Sequence, residues 1–268
     1  MRARMWRSRL WRWRPWHERP ARLHALLLAA LIALSGVVAV PRLDSAPPPR
    51  STLLVLGDSL TWGSNYFAKA QTRLAATGTF DTVVVDSRWG RRISGPTSAR
   101  YSGVVAYKTL VADGLRPTAV IVALGSNDVA ILVKRREFVT VIDDLMKAIG
   151  NIPVVWLTVH RVDSATVTRQ SQRFNSTLIK ELARYPLATV FDWVSVATSD
   201  PSVVDPDKIH LTPKGYDVRT RVYLRLASEL AKQASDLTST TTTTLPTTTV
   251  VPTTTVAPTT VPTTTVAP

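Results

Sequence analysis

Five stretches of the chain carry unbroken apolar runs rather than alternating ones: TLLVLGD (52–58), TVVVD (82–86), TAVIVALG (118–125), IPVVWLTV (152–159) and LATVFDW (187–193). Continuous Val, Leu and Ile runs of this length fit strands buried on both faces, as in a parallel sheet covered by helices. Helical periodicity fills the intervals 65–77, 103–114, 135–149 and 168–185, and Thr212-Pro213 opens a final helix over 213–234. Strand and helix alternating through short connections predict an α/β chain, folded as a three-layer α/β/α sandwich around a five-stranded parallel sheet. Right-handed crossovers deliver every segment that follows a strand to one edge of that sheet, the edge where ligands usually bind.

The two ends have a different character, and they divide the chain. Residues 1–22 hold eight Arg and four Trp against a single acid, Glu18, so this block supplies half of the formal net charge of +14. The remaining charge is diffuse, with no basic stripe of interleaved aromatics, so the high pI reads as topogenic and not as a nucleic-acid surface. Residues 23–40 follow as an apolar segment, uncharged from Ala25 to Val40. At ~1.5 Å per residue, that 16-residue core spans roughly 24 Å, somewhat less than the ~30 Å hydrocarbon layer. It reads as a signal-anchor or a signal peptide, with the Arg block staying cytoplasmic and all that follows outside. A Pro-rich linker (41–50) then leads into a globular domain over 51–235. From 236 to 268 a Thr/Pro-rich tail is expected to be disordered, with 17 Thr and five Pro between Thr238 and Pro268 and no charge there. The chain has no cysteine, which excludes a disulfide scaffold, a Cys nucleophile and any thiolate metal site.

Chemistry-bearing residues cluster after the strands. The first run ends in Gly-Asp-Ser, placing Ser59 where a buried strand stops; it reads either as a nucleophile or as a helix N-cap. The second is followed by DSRWGRR, the third by GSND, and the fourth by HRVD. The domain holds two histidines, His160 and His210. In D-K-I-H, Asp207 precedes His210 by three residues, so one short turn can set a carboxylate beside an imidazole whose other nitrogen faces a serine. His210 is therefore the expected base, and His160 a residue lining the cleft or ending its strand. No G-x-S-x-G elbow occurs. Arg91 and Arg92 read as a solvated loop, whereas Trp62 and Trp89 flank the expected site.

GDSLTWG, the Gly of SRWGRR, GSND and DKIHL together resemble the four signature blocks of the SGNH (GDSL) hydrolase family, in the family's order and across nearly all of 51–234. The resemblance implies an SGNH-hydrolase, flavodoxin-like fold and ester hydrolysis or acyl transfer without a cofactor or metal. It implies Ser59 as nucleophile, His210 as general base and Asp207 as its orienting partner. It further implies an oxyanion hole formed by the backbone N–H of Ser59, the backbone N–H of Gly90 and the side-chain amide of Asn127.

SRWGRR, VVWLTV and VFDW are also similar to exported SGNH domains of bacterial peptidoglycan or polysaccharide O-acetyltransferases. This similarity implies an extracytoplasmic, cell-wall-associated enzyme acting on a small acyl group, such as acetyl on a glycan, with a separate membrane protein as acyl donor if it transfers. The expected partners are thus the ester substrate and the membrane, with no nucleic acid and a monomeric chain. A lipolytic esterase and a non-catalytic glycan-binding module are the alternatives.

Overall fold

A computed structural model describes residues 50–95, 97–98 and 100–242, the side chains of 238–242 excepted. The basic block, the apolar segment 23–40, most of the linker and the chain beyond Thr242 lie outside the described residues.

Five parallel strands form one sheet: β1 (Thr52–Gly57), β2 (Thr82–Ser87), β3 (Ala119–Ala123), β4 (Val154–Leu157) and β5 (Ala188–Phe191). Their spatial order is β2-β1-β3-β4-β5, the doubly wound order of flavodoxin-like folds. β1, β3 and β4 are buried throughout, which is why they read as continuous apolar runs. Alternate residues of β1 feed two separate cores. Leu53 and Val55 pack with α1 (Ser59–Ala68), α2 (Ala70–Ala76), α6 (Trp193–Ser199) and α7 (Pro213–Thr242). Leu54 and Leu56 pack on the other face with α3 (Gly103–Ala112), α4 (Arg135–Ile149) and α5 (Ala165–Leu182). At roughly 1.5–3 kcal/mol for each fully buried aliphatic side chain, these two layers are the main driving force for the fold.

The predicted sandwich is therefore observed, with local differences. The first helix begins at Ser59 rather than 65 and breaks at Lys69, whose φ of 53° lies in the left-handed region. The fifth strand ends at Phe191, short of the predicted 193; Asp192 then caps the short α6, which begins at Trp193. The last helix continues past 234 to Thr242, into residues expected to belong to the tail.

Register places the site. Gly57 pairs with Ser87 on one side and Ala123 on the other, so β1, β2 and β3 end flush. The segments carrying Ser59, Gly90 and Asn127 consequently leave the sheet side by side.

Candidate active site

Ser59 is the first residue of α1, and Asp58 is its N-cap, accepting a hydrogen bond from the Leu60 N–H at 3.0 Å. The cap function therefore falls to Asp58, leaving the Ser59 hydroxyl available. Asp58 is itself buried and accepts a short hydrogen bond from the Ser126 hydroxyl. Burial pushes its carboxyl above the usual range, while the bond from Ser126 and the charge of Arg219 oppose that rise.

The segment from Asp205 to His210 is a tight loop held by its own backbone. Val204 and Leu211 form an antiparallel bridge, Asp205 N–H donates to the His210 carbonyl at 2.9 Å, and Lys208 turns the chain with φ 61°. Asp207 Oδ1 accepts from the Ile209 and His210 N–H groups, both at 2.8 Å. This leaves Oδ2 for His210 Nδ1 at 2.6 Å, while His210 Nε2 lies 3.2 Å from Ser59 Oγ. An ionised carboxylate only accepts, so Nδ1 carries the proton and Nε2 faces the serine hydroxyl as an acceptor. Burial raises the Asp207 carboxyl, but the bonds from the His210 ring and from the loop N–H groups outweigh it and hold the group below its ordinary value.

The oxyanion donors expected from sequence surround the same spot. Ser59 opens α1, where backbone N–H groups have no intrahelical acceptor. Gly90 has φ 70°, a conformation that turns its backbone as an L side chain rarely can. Asn127 Nδ2 donates to the Arg91 carbonyl at 3.0 Å, which fixes the amide and leaves its second proton for a ligand. Arg91 corrects the sequence reading: it is not solvated but buried, reaching Asp86 Oδ2 at 3.0 Å and the carbonyls of Asp86 and Gly57 at 3.1 and 3.4 Å. It ties the ends of β1 and β2 together while its own carbonyl orients Asn127. Asp128, next in the motif, is wholly buried and accepts the Ile93 N–H with both oxygens; burial pushes its carboxyl up to about 7.

Ser59, Gly90, Asn127 and His210 line one cavity of about 540 Å³, within the range of small-molecule sites. Its walls include Trp62 and Trp89, whose rings meet edge to face at 4.9 Å, and Trp62 stacks on Tyr66 at 4.8 Å. Phe67, Arg161, Ile209 and Tyr216 complete the lining and were not singled out in the sequence. A Cβ at Gly63 would collide with the Tyr216 ring, so that glycine lets α7 approach α1 here. Arg161 is held by Asp163 at 3.1 and 3.2 Å and donates to the Ser126 carbonyl at 2.9 Å. His160 is not among the residues lining this cavity. It is half-buried, its imidazole shifted toward the neutral form by burial, and among the cavities it borders is a much smaller one that Asp58 also lines. Among the described residues, no group of three or more His, Asp or Glu side chains is placed to hold a metal ion.

A serine, imidazole and carboxylate in line, with Gly90 and Asn127 in the wall of the same cavity, fit the arrangement of an acyl-transfer site. The family profile of GDSL-like lipases and acylhydrolases matches residues 55–218, well over half of the chain and all of the segments just described. The chain belongs to the GDSL-like lipase/acylhydrolase family. It is an ester-hydrolysing serine hydrolase with the SGNH fold. A search of curated proteins gave no match.

Among solved structures, the fold is similar to a lipase/acylhydrolase from Enterococcus faecalis (18% identity, 67% of this chain, 96% of that one, TM-score 0.54). It is also similar to the M. smegmatis aryl esterase (16% identity, 67% and 99%, TM-score 0.54). A third similar structure is Est24, a carbohydrate acetylesterase from Sinorhizobium meliloti (16% identity, 70% and 100%, TM-score 0.51). These three structures are matched over almost their entire length, so the described domain corresponds to a complete fold of that type.

Proposed function

We propose that the chain is an exported esterase that removes small acyl groups, chiefly acetyl, from hydroxyls of cell-wall glycan, with Ser59 as nucleophile. The 2.6 Å and 3.2 Å contacts linking Asp207, His210 and Ser59 carry the catalytic half of this reading. Ser59 Oγ attacks the acyl carbonyl as its proton passes to His210 Nε2, and Asp207 stabilises the resulting imidazolium. The tetrahedral oxyanion takes hydrogen bonds from the N–H groups of Ser59 and Gly90 and from the Asn127 amide. Collapse expels the sugar alcohol, which leaves with the proton from His210. Water, deprotonated by the same imidazole, then releases the acid and regenerates Ser59. A hydroxyl acceptor replacing that water makes the second half a transfer, with a separate membrane protein as the acyl donor.

The aromatic corner supports the substrate. Trp89 stands 62% exposed against Trp62 beside the nucleophile, offering flat apolar faces that suit the C–H face of a sugar ring. The carbohydrate acetylesterase among the similar folds favours the same class. Export and tethering rest on the Arg block and the apolar segment 23–40, and association with the wall on the Thr/Pro-rich tail; all of these lie outside the described residues. No helix of the described residues is long and apolar enough to cross a membrane. A second reading, a lipolytic esterase, is favoured by one observation: Tyr66 and Phe67 extend the exposed apolar surface beyond Trp89.

Acetate release from O-acetylated wall glycan by the full-length protein, measured beside a series of p-nitrophenyl esters of increasing chain length, tests the proposal. The glycan reading predicts acetate release that weakens in Trp89→Ala through KM, and a preference for acetyl over octanoyl esters. Rising activity with chain length and no acetate from glycan would replace it with the lipolytic reading.

A further inference from the structure

Asp58, the cap of the nucleophile helix, borders a void of about 10 Å³ that shares no lining residue with the substrate cavity. Apolar residues supply most of its lining, but Asp58, Ser126, Thr158, His160 and Arg219 also border it. Arg219 comes from α7 and is only 3% exposed. Its guanidinium lies over the Trp193 ring, 4.7 Å from the centroid, and its Nε donates to the Tyr223 hydroxyl at 2.9 Å. Its Nη1 is buried without a hydrogen-bond partner. A buried guanidinium N–H without an acceptor is costly, and so is a buried carboxylate with too few donors. Asp58 and Arg219 border the same void, yet among the described residues Nη1 does not reach the carboxylate directly. A void of roughly 10–15 Å³ holds one water, provided two to four polar groups surround it.

We propose that this cavity holds one ordered water bridging Arg219 Nη1 to the Asp58 carboxylate, and that Arg219 is thereby a positioning residue for Ser59. The water accepts from Nη1 and donates to Asp58, satisfying both. Asp58 in turn holds the first turn of α1 through Leu60 and the oxyanion loop through Ser126. A second link runs in parallel, since the Tyr223 hydroxyl that accepts from Arg219 also bonds Thr61 Oγ1 at 2.9 Å. Arg219 therefore grips the nucleophile helix at two points without lining the substrate cavity. Its charge also opposes the rise that burial imposes on the Asp58 carboxyl. The other ionisable groups acting on or facing Asp58 are His210, His160 across the void, Asp128 and Arg91. Burial keeps His160 shifted toward neutral, so Arg219 is the permanent cation of the cavity.

The inference about Arg219 rests on Ser59 being the nucleophile; the water itself does not. A high-resolution crystal structure of the full-length protein reads the water directly. Density within hydrogen-bond distance of both groups is expected, and a dry void or a direct Asp58–Arg219 pair overturns the bridge. Kinetics read the role. Arg219→Met is expected to lower kcat by about 10- to 100-fold with KM nearly unchanged, the pattern of a misplaced nucleophile. It also moves the acid limb of kcat/KM to higher pH, because Asp58 without its cation protonates sooner. Arg219→Lys restores part of both, and Asp58→Asn in the Arg219→Met background abolishes the pH movement. A folded Arg219→Met with wild-type kcat and an unmoved acid limb overturns the positioning role. If Arg219→Met does not fold, Arg219→Lys alone carries the test through the same limb. Ser59→Ala run alongside separates the cases: turnover that survives it rejects the nucleophile reading, while the crystallographic result still stands.

Discussion

Asp128→Asn converts a strongly perturbed buried carboxyl into a measurable stability difference. Asp128 is wholly buried at the end of the GSND motif, where both its oxygens accept the Ile93 N–H at 3.0 and 3.2 Å. Burial pushes its carboxyl from 3.8 to about 7, with the nearby charge of Asp58 adding to the rise and the Ile93 bond and Arg92 opposing it. In the unfolded chain the same group titrates near its ordinary value. Below about pH 4 both states hold the proton. As pH rises from there toward 7 the unfolded state loses its proton first, so folding stability falls through that window and levels off above it. Two values about 3 pH units apart, at ~1.4 kcal/mol per unit, place the full penalty at ~4 kcal/mol. Asparagine keeps a carbonyl acceptor for Ile93 and removes the titration. The gain of Asp128→Asn over the wild type is therefore expected to be ~3 kcal/mol larger at pH 8 than at pH 5. Urea unfolding of both proteins at the two pH values measures it. Comparing variant with wild type at each pH cancels the other titrating groups and any fixed cost of the amide. A difference that stays the same at pH 5 and pH 8 would refute the buried, protonated Asp128.

Two further outcomes follow from the site. Asp207→Asn removes the acceptor that fixes the His210 ring, and kcat for p-nitrophenyl acetate should fall by a factor on the order of 10⁴ with little change in KM; a loss below tenfold would mean that Asp207 does not orient the base. Gly90→Ala meets no neighbouring atom, so its cost is backbone strain of ~1–2 kcal/mol at φ 70°. It should lower kcat by about 10- to 100-fold as the N–H donor turns away, and an unchanged kcat would remove Gly90 from the oxyanion hole.

The sheet was legible because its three central strands are buried on every side, and burial on both faces writes itself as continuous Val, Leu and Ile. Edges and ends were less so. Ala188–Phe191 is only partly buried, and only Asp192 separates its apolar run from Trp193, so the cap of the short α6 reads as part of the strand. The helix start at Ser59 does not show in the periodicity, which begins at 65; Gly-Asp-Ser marks it, with the aspartate and not the serine as the cap. The end of α7 was hidden by threonines, whose weak helical preference suggests a tail well before Thr242.

The same contrast holds in the site. Ser59, Gly90, Asn127, Asp207 and His210 stood out because each sits in a short local motif, and the structure brings all but the outward-lying Asp207 to the wall of one cavity. Arg161, Phe67 and Tyr216 reach that wall from separate elements, and no local spacing marks them. Arg91 shows the limit most clearly. Two arginines in a polar loop read as solvated, and only the fold reveals that one of them faces Asp86 across the ends of β1 and β2.

The central claim is that His210 and Asp207 activate Ser59, and covalent labelling tests it most directly. The full-length protein is incubated with a p-nitrophenyl alkylphosphonate, which phosphonylates only an activated nucleophile and releases p-nitrophenol. Peptide mass spectrometry then locates the adduct. The account predicts one adduct on Ser59, lost in His210→Ala. An adduct on any other residue, or one on Ser59 that forms equally fast without His210, would contradict it.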